Sequence, residues 1–464
     1  MAFGVSCFAF CSMKFFGCQV SPAGGGAGGG HCIQLIYKLQ NMKEITSAEF
    51  DSEVLQADKV VLDFYSNECP PCEALAPKFE SLAAIYGEDI KFLKIFRQQN
   101  RDLADRLNVQ SSPTLLFFDK GKETGIRLTG GIKRSEIVHN LNSMIPAEKA
   151  TQIKNSLKPF TTSYDVAIIG SGPGGMTAGL YLCQARVNTV LIDTGLPGGH
   201  VSLTHQISNY PGFIDPQPGY LLSHNMSEQT KKCGTIFKVA VDVTKVDLQK
   251  KEIIIDEFET LKPRKIIIAT GTSPNYLNVP GEKEFKGQGI SYCATCDAKY
   301  YADKEVIVIG GGNSAVEEAE FITKFATKVT VVHQFDKFQA NKQAQEKLLA
   351  NPGVEVLFSH EPRGFSRQGE KMLVKVENLK THEIKDLVTD GIFIFVGLKP
   401  NIDLFGGKLE LDNWGYLKTD EDMRTSIPDV YAVGDVRSKK YRQITTAIAD
   451  GTIAAISITK ELDT

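Results

Sequence analysis

Short apolar runs that end in turns bearing glycine or cysteine, each followed by helically spaced apolar residues, recur along most of this chain. Lys59 to Tyr65 (KVVLDFY) reads as a buried β-branched strand, and helical spacing follows from Glu73 to Tyr86. Tyr164 to Ile169 (YDVAII) and Glu305 to Ile309 (EVIVI) read as buried strands, each running through glycines into a helix. Leu115 to Phe118 and Thr189 to Ile192 add two more strands. Strands alternating with helices predict an α/β protein, and 464 residues leave room for about three domains.

Two stretches break the pattern. Residues 1–41 hold Cys7, Cys11, Cys18, Cys32 and the run AGGGAGGG from Ala23 to Gly30, a composition that builds no packed core. Lys14 is the only Lys or Arg before the glycine run, so the segment lacks the basic region of a targeting peptide. It is expected to be an unstructured or spurious extension, with a sensible domain start at Met42. Residues 143–162 are polar and weakly periodic with two prolines, and a linker is expected over 146–162.

A hydrophobic content of 42% is ordinary for a soluble globular protein, and a net charge of -3 gives no general reason to expect nucleic acid or an anionic membrane as partner. Cysteine use is more informative. Four of the ten cysteines form two Cys-x-x-Cys pairs in a chain too long to need disulfide staples, which points to redox chemistry in a reducing, cytoplasmic compartment. The pairs lie more than 200 residues apart, each in its own unit, so no zinc or other metal site is expected.

The first pair, in Glu68-Cys69-Pro70-Pro71-Cys72-Glu73, sits at a strand-to-helix turn. That places the Cys69 sulfur at a helix N-terminus, where free N–H groups and aligned peptide dipoles stabilise a thiolate. With Asp63 inside the strand, Lys94 downstream and Ser112-Pro113-Thr114 ahead of the next strand, residues 42–145 resemble thioredoxin. The resemblance implies Cys69 as exposed nucleophile, Cys72 as resolving thiol, Asp63 as buried proton acceptor beside Lys94, and Pro113 as a cis-proline near the disulfide. The usual Trp-Cys-Gly-Pro-Cys-Lys has lost its tryptophan and gained two acids. Nearby negative charge disfavours a thiolate, so a redox partner unlike a general-purpose thioredoxin is expected.

Gly170-Ser171-Gly172-Pro173-Gly174-Gly175 follows a strand and opens a helix, with Asp193 about 20 residues on. The glycines let the backbone approach a pyrophosphate at the helix N-terminus, and Asp193 is placed for a ribose hydroxyl. Further on, IIIATG ending at Gly271 resembles the second flavoprotein turn, and VYAVGD ending at Gly434-Asp435 resembles the closing motif whose aspartate binds the ribityl chain. Arg442 and Gln443 match the pair near the flavin pyrimidine edge. Gly198-Gly199-His200 and Asn209-Tyr210-Pro211-Gly212 fit flavin-contacting loops, with His200 in place of the more usual glutamine. FAD is the implied cofactor.

After Val279-Pro280-Gly281 come Cys293-Ala294-Thr295-Cys296-Asp297 and a second glycine turn, Gly310-Gly311-Gly312-Asn313-Ser314-Ala315. Two cysteines so spaced can close a disulfide or open to two thiols, and Asp297 can carry the proton that exchange moves. A Rossmann unit inserted in another, with Cys-x-x-Cys at its start, is the layout of low-molecular-weight thioredoxin reductases, which residues 163–464 resemble. The resemblance implies a FAD domain over 163–278 and 402–464. It implies an inserted domain over 279–401 that meets NAD(P) through Gly310, Gly312 and Ala315, and a swivel about Val279–Gly281 and Gly397–Asn401. Cys296 is then the sulfur next to the flavin, Cys293 the interchange thiol and Asp297 the acid/base.

NADPH-using relatives carry His-Arg-Arg-Asp-x-x-Arg after this turn, whereas here the chain reads Val332-His333-Gln334-Phe335-Asp336-Lys337-Phe338-Gln339. The guanidiniums that hold a 2′-phosphate bidentately are gone. No acid ends the strand to bind an NAD ribose either. Three donors stay open: NADPH held through His333, Lys337 or Lys342; NADH; or a one-electron donor, as in ferredoxin-linked flavin thioredoxin reductases. Ferredoxin or another non-NADPH donor ranks first. Cys183 and Cys233 read as small structural hydrophobes, with Cys233 standing alone.

The resemblances together imply a thioredoxin fold followed by two nested Rossmann-like domains, and a fused relay. Electrons pass from the donor through FAD to Cys293 and Cys296, on to Cys69 and Cys72, and then to protein disulfides or a peroxiredoxin. A dithiol facing the flavin cannot also face a protein, so the inserted domain must rotate between half-reactions. Transfer to the thioredoxin domain runs in cis, or in trans within the homodimer usual for the family. The runner-up is a peroxiredoxin (alkyl hydroperoxide) reductase using NADH, whose N-terminal arm resembles two fused thioredoxin folds where one is evident here. A redox-gated binding module without catalysis stays open as well.

Overall fold

The structure, a computed structural model, describes residues 42–204, 207 and 209–462, with backbone alone at Thr295 and Cys296. The extension expected over 1–41 lies outside the described residues. Three units follow one another, the third inserted in the second.

The N-terminal unit is a five-stranded sheet in the order β1-β3-β2-β4-β5, from β1 (Lys43–Glu44), β2 (Lys59–Tyr65), β3 (Lys91–Phe96), β4 (Thr114–Asp119) and β5 (Lys122–Thr129). Its helices are α1 (Pro70–Tyr86), α2 (Arg101–Arg106), α3 (Arg134–Ser143) and α4 (Ala147–Ser156). Alternation along the central β2 sends Val61 under α1 with Leu75, Phe79 and Leu82, and Val60, Leu62 and Phe64 to the other face with Phe50 and Val54. Asp63 shares the parity of Val61 and so points under α1. That helix starts three residues before the expected Glu73, because Pro70 and Pro71 occupy positions whose N–H groups would be unpaired in any helix. The expected linker also differs. Helix α4 folds back, with Ala150 and Ile153 on the core and Lys149 paired with Asp89, and two apolar contacts in ten residues are too few to register as helical periodicity.

The central unit is a seven-stranded sheet ordered β8-β7-β6-β11-β10-β9, with β22 also on β11. Its strands are β6 (Phe160–Ile169), β7 (Thr189–Ile192), β8 (Ile236–Lys238), β9 (Val243–Asp247), β10 (Glu252–Ile255), β11 (Glu259–Ile268) and, much later, β22 (Val430–Ala432). Helices α5 (Pro173–Gln184) and α6 (Gly219–Cys233) follow β6 and β7. The last helix, Ile444–Leu462, crosses α5 so closely that a Cβ at Gly451 would lie 2.2 Å from the Gly174 carbonyl oxygen.

The chain leaves through β12 (Thr272–Pro274) and returns through β21 (Leu398–Pro400), paired antiparallel, with Asn401 bonded to the Thr270 carbonyl at 2.9 Å. The two passages are thus stitched together ahead of Val279, where the entry side of the swivel was expected. Between them lie β13 (Ile290–Ser291), α7 (Ala294–Asp297), β14 (Glu305–Ile309), α8 (Asn313–Ile322), β15 (Lys328–His333), α9 (Lys342–Leu349), β16 (Val354–Phe358), β17 (His360–Gln368), β18 (Lys371–Asn378), β19 (Ile384–Thr389) and β20 (Gly391–Ile394). They form a parallel sheet ordered β13-β20-β14-β15-β16, with the antiparallel β17-β18-β19 sheet against one face through Met372, Val374 and Val376. The helix Ile444–Leu462 is hereafter α10. Among the described residues no helix is long and apolar enough to cross a membrane.

Candidate flavin and dithiol sites

The N-terminal site is a closed Cys69–Cys72 disulfide at the head of α1. The Cys69 sulfur caps the helix, accepting the Cys72 N–H at 3.3 Å, and lies 3.4 Å from the carbonyl of Ser112, whose peptide bond to Pro113 is cis. Beneath it Asp63 is buried, with no partner for Oδ1 among the described residues. Burial pushes its pKa up to about 7 against a weaker downward pull from Lys94. Lys94 stands beside Asp63 in strand register, with its ammonium 5.5 Å from the centre of the Tyr65 ring. Of the two acids flanking the pair, Glu68 takes a left-handed φ of 51° and Glu73 pairs with Lys231 of the central unit at 3.1 Å.

In the central unit, Gly170, Gly172, Asp193, Gly199, His200, Gly271, Gly434, Asp435 and Gln443 line one cavity of about 510 Å³ running between the heads of α5 and α10. Nothing lies within 4 Å of where a Cβ would stand on Gly172 or Gly271, so the backbone is bare toward the cavity there. Gly170, by contrast, is glycine for packing: its φ is +112° and a Cβ would lie 2.3 Å from the Ala269 carbonyl oxygen. Among the described residues Asp435 Oδ1 is buried with no hydrogen-bond partner, Lys439 Nζ standing 3.5 Å away at ion-pair distance. A bare cradle at a helix N-terminus and a carboxylate oxygen with hydrogen-bond capacity to spare fit a pyrophosphate and a hydroxylated chain, the two polar parts of FAD. Gly172 and the head of α5 would hold the first, and Asp435 the second.

Three expected contacts lie off this cavity. Gly175 packs on the turn itself, where a Cβ would stand 2.1 Å from the Gly170 carbonyl oxygen. Asn209 reaches the Gln443 side chain at 3.2 Å. Arg442 stacks its guanidinium 3.7 Å above the Tyr416 ring and donates to the Asp435 carbonyl oxygen at 3.3 Å, so it supports the loop from behind. Asp193 lines the cavity but already accepts the N–H groups of Ser171 at 2.7 Å and Gly195 at 2.8 Å, bracing the glycine turn. His200 bonds the Thr272 carbonyl at 2.9 Å, tying the flavin loop to β12.

One residue that motif reading passed over is Asp450. Buried in α10, it accepts from Gly434 N–H at 3.0 Å, Arg437 at 2.7 Å and Lys439 at 2.9 Å. The available signal was an acid amid the apolar stretch of α10.

In the inserted unit, Cys293 is half-buried and disulfide-bonded just before α7, and Asp297 N–H bonds its carbonyl at 3.2 Å. The side chain of Cys296 lies outside the described residues. A second unforeseen residue is Glu282, fully buried, which accepts the hydroxyl of Tyr292 at 2.6 Å and the Leu277 N–H at 2.9 Å. It anchors the residue before Cys293 to the segment that leads in from β12.

Around the second glycine turn, Gly310 has φ +135° and a Cβ on Gly311 would fall 2.4 Å from the His333 ring. Ala315 is buried at the start of α8, and Gly312 is open. His333 is buried, with Nε2 unpartnered among the described residues and the ring stacked 6.0 Å from Phe338; burial lowers its pKa. At 5% exposure it offers little access to a 2′-phosphate. Gln334, Phe335 and Gln339 are exposed, and Gln339 N–H bonds the Gly311 carbonyl at 2.7 Å.

Cys233 does not stand alone. Cys183 donates its thiol to the Cys233 carbonyl at 2.7 Å, and burial with the neighbouring thiol pushes the Cys183 pKa up to about 11.

Comparison with known proteins agrees with this arrangement. Residues 164–451 match the pyridine nucleotide-disulphide oxidoreductase family, and residues 41–143 match thioredoxin. A thioredoxin reductase of Peptoclostridium acidaminophilum is 41% identical over 307 residues, covering 65% of this chain and 97% of the relative. One from Bacillus subtilis (strain 168) is 38% identical over 296 residues, covering 64% and 93%. Among solved structures, Lactococcus lactis thioredoxin reductase in its FR conformation matches with TM-score 0.61 at 39% identity, covering 64% of this chain and 98% of that one. The chain belongs to the pyridine nucleotide-disulphide oxidoreductase family and carries a thioredoxin domain ahead of that reductase unit.

Proposed function

We infer that this chain is a thioredoxin-disulfide reductase fused to its own thioredoxin substrate domain. The observation that carries the reading is the presence in one chain of two disulfide sites, Cys69–Cys72 with a protonatable Asp63 in the same domain and a disulfide-bonded Cys293 in the unit inserted into the one that holds the cavity. Thioredoxin reductases among its relatives point to the same activity. FAD, when bound, supplies the two-electron exchange that links a reduced donor to a disulfide.

The protein's own steps are thiol exchanges. With the inserted dithiol reduced, the Cys293 thiolate attacks Cys69 Sγ; a Cys293–Cys69 bond forms and the Cys69–Cys72 bond breaks. The Cys72 thiolate takes its proton from Asp63. Cys296 then loses its proton to Asp297 and attacks Cys293, closing the Cys293–Cys296 disulfide and releasing the Cys69 thiolate, which the head of α1 stabilises. One dithiol and one disulfide have exchanged places. Reduced Cys69 passes the pair on to protein disulfides or a peroxiredoxin.

The exposed Gln334 and Gln339 and the buried His333 favour NADH or ferredoxin over NADPH as donor. The inserted unit turns about the β12–β21 pair, and a cytoplasmic homodimer delivering in cis or in trans is part of the same reading. A peroxiredoxin reductase is less well supported, since the described residues contain one thioredoxin fold in place of a fused pair.

The experiment is an anaerobic titration of the flavin absorbance with NADPH, NADH and reduced ferredoxin in turn, followed by turnover of Cys69→Ser/Cys72→Ser. Stoichiometric bleaching by at least one donor and loss of turnover with external protein disulfides are expected. Unchanged turnover in the double variant overturns the fused relay.

A further inference from the structure

The face of the thioredoxin domain that carries Cys69 is held against the central unit. Ion pairs, hydrogen bonds and close packing make the seam, with Ser135 also on Asp242, Lys154 near Glu257 and the Arg134 guanidinium 4.7 Å from the centre of the Phe258 ring. Lys78, two turns along α1 from the disulfide, donates to the carbonyls of Ala240 at 2.6 Å and Val239 at 2.9 Å in the central unit, and to its own domain's Ile132 at 3.0 Å. Lys133 reaches Asp242 at 3.0 Å. Glu73, next to Cys72, pairs with Lys231, and Ala74 packs on the apolar cluster containing Val239. On the far side of the disulfide, Gly131 approaches Leu196 so closely that a Cβ there would stand 3.1 Å from the leucine side chain.

Lys78 is the informative residue. An ammonium has three donors, and here all three end on carbonyl oxygens, two of them across the seam. In the domain alone only the Ile132 carbonyl would remain, and a lysine in mid-helix has no need of burial. Burial lowers its pKa to about 8 although Asp256, Asp242 and Glu136 pull the other way, so carbonyl dipoles in the seam hold the charge in place of a contacting carboxylate. With the domain in this position, Cys69 and Cys72 are each 8% exposed.

We propose that Leu196, Lys231 and Val239 to Asp242 form a parking site for the reactive face of the thioredoxin domain, which withholds Cys69 from both Cys293 and outside disulfides until the domain undocks. The proposal rests on the reading of Cys69 as the exchanging sulfur. Exchange needs a sulfur to approach Cys69 in line with the bond to Cys72, and Glu73 and Ala74, which follow Cys72 directly in the chain, are engaged by the central unit. The parked pose is therefore a state the relay must leave. Most of its contacts are ion pairs and hydrogen bonds, as suits a reversible contact between domains. Undocking frees the domain to meet Cys293 or an acceptor, and redocking ends its exposure.

The test uses the full-length FAD-bound chain, reduced with a phosphine and then treated with iodoacetamide, with Cys69 alkylation followed by peptide mass spectrometry. Lys78→Met and Leu196→Arg are expected to alkylate at least about tenfold faster than the parent, the factor for an open fraction below about a tenth. Asp242→Lys is expected to do the same, and Lys133→Glu/Asp242→Lys to return toward the parental rate. A thermal melt accompanies each variant; because Leu196 and Lys78 lie on opposite sides of the seam, misfolding of one leaves the other as a test. Equal rates in parent and folded variants overturn the parking site. The alkylation does not depend on turnover, so protection of Cys69 combined with unchanged turnover of Cys69→Ser/Cys72→Ser would sink the relay and leave the dock standing.

Discussion

Asp450 Oδ2 accepts the Gly434 backbone N–H at 3.0 Å, so a carboxylate from α10 holds the turn that presents Asp435 to the flavin cavity. Arg437 and Lys439 neutralise it from either side, and the three side chains are largely buried. Removing the acid strands Arg437 and leaves Lys439 with Asp435 alone, and deleting one partner of a buried pair costs about 3–5 kcal/mol. Asp450→Ala is therefore expected to lower the melting temperature and to lose FAD on gel filtration. Asp450→Asn keeps one acceptor and should fall between. Fluorescence titration of the stripped protein with FAD checks this, and unaltered affinity in the alanine variant would remove Asp450 from the cofactor site.

Asp63 makes stability depend on pH in a stated direction. Its folded pKa, about 7, lies above the ordinary 3.8. Between about pH 4 and 7 the folded protein keeps a proton that the unfolded chain has released, so this group's contribution to stability falls as pH rises through that window and is flat above it. Asp63→Asn should remove the slope and leave the thioredoxin domain more stable at pH 8, by at most about 4 kcal/mol. Re-oxidation of the Cys69–Cys72 dithiol, in which Asp63 accepts a proton, should accelerate through pH 7 in the parent and not in the variant. Urea melts at pH 5 and 8 and stopped-flow oxidation read the two effects.

Gly311 and His333 are coupled by contact, since a Cβ on the glycine would fall 2.4 Å from the ring. Gly311→Ala should destabilise the inserted unit by about 1–3 kcal/mol through overpacking. In combination with His333→Ala the two costs should be less than additive, because the second change removes the obstacle. A double-mutant cycle by urea denaturation measures the coupling, and strict additivity would contradict the contact.

Legibility followed locality. The strands Lys59–Tyr65, Thr189–Ile192 and Glu305–Ile309 run where the apolar runs put them, to the residue, because each is buried on both faces and bounded by a turn. Motif order likewise placed nine of the expected flavin contacts on one cavity. What order along the chain does not encode is the side of the backbone from which a side chain acts. Arg442 and Gln443 are neighbours, yet only Gln443 lines the cavity. Distance hid the rest: Asp450 serves a turn 16 residues away, and Lys78 meets carbonyls more than 160 residues downstream. Helix α4 was missed for a third reason, its burial being confined to two side chains.

The electron donor is where sequence and geometry meet. Gln339 is exposed, and its backbone lies against the second glycine turn, bonded to the Gly311 carbonyl at 2.7 Å; Gln334 follows directly on the end of β15. Arginines at these positions would stand beside the turn and supply the bidentate, charged hydrogen bonds that a 2′-phosphate needs, each worth about 1.5–3 kcal/mol. Gln334→Arg/Gln339→Arg is therefore expected to bind NADPH at least about tenfold more tightly while leaving NADH affinity within about twofold, since NADH brings no phosphate to the new charges. Fluorescence or calorimetric titration with both nucleotides reads the ratio without depending on turnover. Parallel gains for NADH and NADPH would show that the arginines act by general charge, and the assignment of Gln334 and Gln339 as the positions that discriminate donors would fail.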